Sequence, residues 1–419
     1  MSLDATMLEM GHRARGGADA LRTATAATRS AALSAMAGAL RERSDAILSA
    51  NAADVERARA KGVSEALIDR LSLTPARIVG MAGAVEEVAA FPDPLGATTA
   101  RWTRPNGLEF SRVRTPLGVL AIIYESRPNV TADAAALCIR SGNAAILRSG
   151  SDCLESALAI HAAVAEGLLA AGLPREAVQL VDTPDRAAVG ALLTGLGGTI
   201  DLLVPRGGRS LVERVQAEAR VPVLGHLEGI NHTYLQASAD VGMAVEVVLN
   251  AKMRRVSVCG ATETLLVDRE AAERLLPPVA EALMAAGCEL RGDEAARALI
   301  PGMDGAVEAD WSTEYLAPIL SVKIVDGLDE AVAHINRYGS GHTEAIVAED
   351  GYAAAAFQAV VDASIVLWNA STQFADGGEF GFGGEIGIST SRLHARGPVG
   401  AEQLTSYKYV VRGTGQTRP

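Results

Sequence analysis

The chain has 419 residues, 49% of them hydrophobic and 21% charged, which is enough to bury a full core and to make two or three domains. A net charge of −12 sets the surface against phosphate backbones and anionic membranes, so nucleic-acid binding is excluded as the main role. The four cysteines form no CxxC pair and the seven histidines no HExxH, which excludes a disulfide scaffold and gives no metal-binding spacing.

The N-terminal stretch MSLDATMLEMGHRARGG carries acids and no continuous apolar run, unlike a secretory signal. No run of about eighteen apolar residues follows that could span a bilayer, so the expected compartment is the cytoplasm. From about Asp4 to Phe91 apolar residues recur every three or four positions, which predicts helices, with Thr74 and Pro75 as an N-cap and first-turn proline. Trp102 to Arg114 alternates around Pro105-Asn106-Gly107 and predicts a hairpin.

An α/β alternation begins next. Gly118–Ser126, Gly142–Leu147, Val178–Val181 and Asp201–Pro205 read as short buried strands. Thr131–Ser141, Ser151–Ala171 and Asp185–Leu193 read as the helices between them. A second such region has expected strands at Glu263–Val267, Ile319–Val325, Ala345–Ala348 and Ser364–Trp368, with helices at Glu270–Ala286, Leu328–Asn336 and Tyr352–Val361. The tail is Gly-rich after Phe374 and closes on the strand-forming TSYKYVVRG. The expected class is therefore α/β, built from two mostly parallel sheets with helices on them.

Three places carry chemistry. Cys259 follows the basic residues Lys252, Arg254 and Arg255 and precedes Gly260 and Ala261. Nearby cations favour a thiolate, the form that attacks carbonyl carbon, and small neighbours leave room for a substrate. A buried structural cysteine is the competing reading. Pro205-Arg206-Gly207-Gly208-Arg209-Ser210 joins a strand to a helix, where backbone N–H groups and arginine charge suit an anion, although a plain turn explains the glycines as well. Arg148 ends a strand at the edge where doubly wound sheets take nucleotides. Ser149, Gly150 and Ser151 offer no acid for a free ribose hydroxyl, which favours NADPH over NADH.

PLGVLAIIYESRP, GNAAILRSGS, PRGGRS, the Cys259 segment and EYLAPILSV together resemble the aldehyde dehydrogenase superfamily. VDGLDEAVAHINRYGSGHTEAI, YESRPNVTADAA, WNASTQFADGGEFGFGGEIGIST and SRLHARGPVGAEQLTSYKYVVRG resemble its acyl-phosphate-reducing branch, over nearly the whole chain. The resemblance implies an aldehyde-dehydrogenase-like fold of two doubly wound α/β domains plus a small oligomerisation hairpin. Residues 1–98 and 114–236 would bind NADPH, 237–375 would carry the nucleophile, and 99–113 with 390–419 would mediate homo-oligomer formation.

Residue by residue, the resemblance makes Cys259 the nucleophile and puts Glu314 on the nicotinamide ribose. Arg148 and Ser151 fall to the adenosine ribose, and Arg206, Gly207 and Gly208 to the pyrophosphate. Ser126 aligns with an oxyanion-stabilising residue and Asn129 lies three positions on; the N–H of Cys259 is a further oxyanion donor. Gly225 stands where hydrolytic members hold a general-base glutamate, with His226 and Glu228 close but out of register. Arg127, Lys252, Arg254, Arg255, Arg392 and His394 are candidates for the substrate's phosphate and carboxylate, and His342 and Thr343 for its cleft. The implied reaction is NADPH-dependent reduction of L-glutamate 5-phosphate to L-glutamate 5-semialdehyde through a cysteine thioester, in proline biosynthesis. Glutamate 5-kinase, which makes the acyl phosphate, is a candidate partner. A hydrolytic aldehyde dehydrogenase and a non-catalytic binding protein of the same fold are the rival readings.

Overall fold

A computed structural model describes residues 2–418 and divides the chain into two compact units. Unit 1 runs to Gly225 and regains the chain at Gly381–Gly387 and from Val399 onward; unit 2 is His226–Phe380 with Ile388–Pro398.

Unit 1 opens with helices at Leu3–Thr23, Ala26–Glu42, Ser44–Ala60, Glu65–Leu71 and Pro75–Ala90. The expected cap is present, with the Thr74 hydroxyl accepting from the Arg77 N–H at 3.2 Å. Strands β1 (Thr98–Thr103) and β2 (Glu109–Pro116) form the hairpin. Gly107 has φ +83°, as its turn needs, and its N–H donates to the Arg104 carbonyl at 2.9 Å. Strands β3 (Val119–Tyr124), β4 (Ala144–Ser149), β5 (Val178–Leu180) and β6 (Leu202–Arg206) make a parallel sheet in the order β5-β4-β3-β6. Every residue of β3 and β4 is buried, as continuous apolar strands require.

Unit 2 is built on a seven-stranded sheet whose pairs are all parallel. Its strands are β7 (Asn231–Leu235), β8 (Thr262–Asp268), β9 (Glu289–Gly292), β10 (Asp304–Gly305), β11 (Ile319–Val325), β12 (Thr343–Val347) and β13 (Ile365–Trp368), in the order β10-β9-β11-β8-β7-β12-β13. A small antiparallel pair, β14 (Ile388–Ser389) and β15 (Gly397–Pro398), also belongs to it. The chain then returns to unit 1, where β16 (Thr405–Arg412) pairs antiparallel along the length of β2.

Two expected boundaries shift. The units change over at Gly225/His226 and not at 236, because β7 is a strand of the second sheet. Residues 390–398, expected with the closing strand, lie in unit 2, because β15 is held there by β14.

His334 is buried in unit 2 with its ring edge-on to Trp311 at 5.4 Å and to His232 at 5.4 Å. Burial, with the positive charges around it, pushes this imidazole down to about 3. A cation whose folded value is depressed contributes stability at neutral pH that is lost as pH falls from about 6.5 toward 3. We expect acid unfolding to steepen over that window by up to about 1.4 kcal/mol per pH unit, and His334→Phe to flatten it, as read from urea unfolding at a series of pH values.

Candidate active site

Cys259 lies in a turn between the helix Val241–Met253 and β8, the central strand of its sheet. The turn is closed by the Ala261 N–H donating to the Val258 carbonyl at 3.0 Å. Because the sheet is parallel, the segments entering neighbouring strands gather at the same end. His226 lies just ahead of β7, Glu314 ahead of β11 and His342 immediately ahead of β12. One imidazole nitrogen of His226, one of His342 and the Cys259 sulfur all lie within 4.8 Å of one another. The two rings meet edge to face at 4.8 Å between centroids. Cys259 is half-buried, whereas Cys138, Cys153 and Cys288 are buried and burial raises all three of those thiols. Cys259 is therefore the accessible sulfur, and it has two imidazoles beside it.

Hydrogen bonds fix the ring orientations. His226 Nδ1 donates to the Ile388 carbonyl at 2.7 Å, since a carbonyl can only accept. His342 Nδ1 pairs with the Thr343 hydroxyl at 2.8 Å, and its buried Nε2 has no protein partner. An unpartnered buried imidazole nitrogen beside a sulfur is poised for proton transfer or for a ligand.

The cysteine's backbone is clamped from β7. The wholly buried Asn231 amide donates to the Cys259 carbonyl at 2.6 Å and to the Ala261 carbonyl at 2.9 Å, while its oxygen accepts the Thr343 N–H at 3.1 Å. Gly229 packs so closely that a Cβ there would sit 2.1 Å from the Cys259 carbonyl oxygen, so only glycine fits. The Gly229 N–H donates at 3.0 Å to Glu314, whose carboxyl is raised by burial against the pull of that bond. Glu314 is thus coupled to the Cys259 turn through one glycine. Asn231→Ala removes the amide that holds the Cys259 and Ala261 carbonyls and the Thr343 N–H. We expect a cost of about 1–3 kcal/mol and a fall in turnover larger than the change in KM, measured by unfolding and steady-state kinetics.

Of the cations expected to favour the thiolate, Lys252 is committed elsewhere. Lys252 is wholly buried and bonded to Glu263 at 2.5 Å, so it does not reach for a substrate anion. Arg254 and Arg255 are exposed, and the Arg255 carbonyl accepts from Gln373 at 3.2 Å. Arg392 is exposed and paired with Asp362, which also holds Arg396 at 2.7 Å. The imidazoles beside the Cys259 sulfur come from residues 33 positions before it and 83 after it.

In unit 1 the nucleotide candidates collect at the carboxyl ends of the strands, the usual ligand edge of a parallel sheet. Arg148 and Ser149 end β4; the Arg148 Nε and the Ser149 hydroxyl are buried without a protein partner. Ser151 lies exposed in the turn that follows. Arg206 ends β6, and Gly207 and Gly208 lead into the helix Arg209–Glu218. The Gly208 N–H is 3.4 Å from a Glu125 carboxylate oxygen, an acid at the anion turn that the sequence reading passed over. A Cβ on Gly207 would press on that same carboxylate at 2.6 Å, whereas Gly208 is open on its Cβ side. Ser126, with φ +51°, donates its hydroxyl to Asp152. Asn129 donates to Asp133 at 2.8 Å, a carboxyl that burial pushes up to about 6. Arg127 is half-buried on the same segment.

A family model described as the aldehyde dehydrogenase family matches residues 4–296 and 308–410. A relative from Caulobacter sp. (strain K31), named gamma-glutamyl phosphate reductase, is 69% identical over 419 residues and covers all of both chains. One of the same name from Rhodospirillum rubrum is 59% identical over 413 residues, 99% of this chain and 96% of its own. The crystal structure of gamma-glutamyl phosphate reductase from Thermotoga maritima is 44% identical, with a TM-score of 0.96 over 99% of this chain and 100% of that one.

Proposed function

The chain belongs to the aldehyde dehydrogenase family, and on that premise we propose the chemistry of its site in detail. It reduces L-glutamate 5-phosphate to L-glutamate 5-semialdehyde and phosphate, the step of proline biosynthesis that its end-to-end relatives are named for. The observation that carries the mechanism is the Cys259 sulfur held beside two imidazoles on a clamped turn.

One imidazole takes the thiol proton, giving a thiolate and an imidazolium. The thiolate attacks the acyl-phosphate carbon, the bond from carbon to the phosphate oxygen breaks, and the imidazolium proton goes to that oxygen. Phosphate therefore leaves as hydrogen phosphate and a thioester remains on Cys259. The Cys259 N–H stabilises the carbonyl oxygen as charge develops there, with Ser126 and Asn129 as the side-chain candidates for the same duty. A nicotinamide coenzyme, when bound, supplies hydride to the thioester carbon. The thiohemiacetal oxyanion then expels the Cys259 thiolate and frees the semialdehyde. Gly225 offers no base to activate water, which suits a phosphate-releasing reductase over a hydrolase.

The residues of unit 1 fit a dinucleotide: two unpartnered buried polar atoms, on Arg148 and Ser149, lie at the sheet's ligand edge, and an open glycine starts a helix. In this reading Arg148, Ser151, Arg206, Gly207 and Gly208 hold NADPH, Glu314 holds the nicotinamide ribose, and Arg127, Arg255, His342 and Arg392 receive the substrate. The protein works as a cytoplasmic homo-oligomer through the β1-β2-β16 sheet, with glutamate 5-kinase as its supplier.

The test is the reverse reaction. NADP reduction by pyrroline-5-carboxylate, the cyclised semialdehyde, should require inorganic phosphate. Reduction at full rate without phosphate would identify a hydrolase. His342→Gln, which keeps a polar group but cannot carry the proton, should lower kcat about 10²-fold or more. A loss confined to KM would make His342 a binding residue only.

A further inference from the structure

The same three side chains that serve the proposed reaction have a second property. Sulfur and two imidazoles are the donor set that borderline-soft divalent cations prefer, above all zinc. Their nearest ligand atoms lie within 4.8 Å of one another on three separate strand entries, and His342 Nε2 is buried with no protein partner. Both imidazoles are already oriented through Nδ1, by the Ile388 carbonyl and the Thr343 hydroxyl, which are the outer contacts that tune a metal-bound histidine. A tetrahedral zinc ion needs ligand atoms about 3.3–3.6 Å apart, so small side-chain rotations that close the set by about 1 Å complete three ligands and leave a fourth position for water. We propose that Cys259, His226 and His342 form a reversible zinc site, and that a Zn2+ ion there holds the sulfur out of catalysis until it is removed.

No pattern in the sequence announces it, because the three ligands are 33 and 83 residues apart. The site rests on the geometry around Cys259, but its binding is measured without turnover, so it stands or falls apart from the reductase reading.

Full-length protein, reduced and stripped with a chelator, is titrated with Zn2+ against a chromophoric competitor, and separately with Co2+ while its absorption is recorded. Wild type should take up one equivalent, and cobalt should show the near-ultraviolet charge-transfer band of a thiolate ligand with the visible bands of tetrahedral coordination. Cys259→Ala and His342→Ala should each lose the equivalent, with folding checked by circular dichroism, while Cys288→Ser should keep it. Zn2+ should also slow iodoacetamide labelling of Cys259 and stop the reductase reversibly. The proposal is overturned if wild type binds no equivalent, if Cys259→Ala still binds it, or if cobalt shows no thiolate band. If wild type binds the equivalent and Cys259→Ala loses it but keeps normal turnover, the covalent mechanism fails while the metal site stands.

Discussion

Cys259→Ala should abolish reduction, with kcat/KM falling by on the order of 10⁴-fold or more, while coenzyme binding stays within a factor of about two. The size follows from what is removed. Without the sulfur no thioester forms, and hydride would have to reach the acyl phosphate directly. The neighbouring imidazoles cannot compensate, because they move protons and do not form the acyl bond in this scheme. Coenzyme titration by fluorescence, alongside the rate assay, separates loss of chemistry from loss of the fold. Near-normal turnover in the variant would remove the covalent mechanism.

The second large effect is on stability. Lys252→Met should destabilise unit 2 by about 3–5 kcal/mol, because it strands the Glu263 carboxylate in the interior. Lys252 is the penultimate residue of the helix before the Cys259 turn and Glu263 the second residue of the strand after it. Their bond ties the two ends of the Cys259 loop together. Burial raises the Glu263 carboxyl to about 7 despite the ammonium beside it. An acid raised on folding adds stability below its unfolded value, and that contribution is lost as pH rises through the folded one. With its partner gone the carboxyl is raised further, so the deficit of Lys252→Met should shrink between pH 7 and pH 5. The double variant Lys252→Met with Glu263→Leu should recover most of the loss at pH 7. Unfolding midpoints across that pH range decide it; an unchanged deficit at pH 5 would mean that the charge is not the cause.

Much of the fold is legible in the chain. Apolar runs such as Val119–Tyr124 and Ile319–Val325 read correctly as buried parallel strands, and Pro105-Asn106-Gly107 marks a real hairpin. Strand β7 escaped because its run, Asn231-His232-Thr233-Tyr234-Leu235, is mostly polar, although all five residues are buried. Each polar side chain makes at least one bond inside: Asn231 to the Cys259 turn, His232 through Nδ1 to Glu344 at 2.9 Å, Thr233 to the Thr262 hydroxyl, Tyr234 to Asp268. The strand breaks the apolar pattern where the site needs polar scaffolding. The sequence singles out Cys259 by its small neighbours, but not the side chains that surround it. A basic run does not say which way each side chain points, and Lys252 points inward. His226 and His342 reach the sulfur only because parallel strands bring distant entries to one edge of a sheet.

The most direct measurement is to trap the acyl enzyme. Glutamyl phosphate, generated in place by a glutamate-phosphorylating kinase with ATP, is mixed with the full-length protein without coenzyme, quenched in acid and digested for peptide mass spectrometry. A glutamyl adduct on the Cys259 peptide, released as semialdehyde when NADPH is added before the quench, is the expected result. An unmodified Cys259 alongside normal turnover would contradict the account.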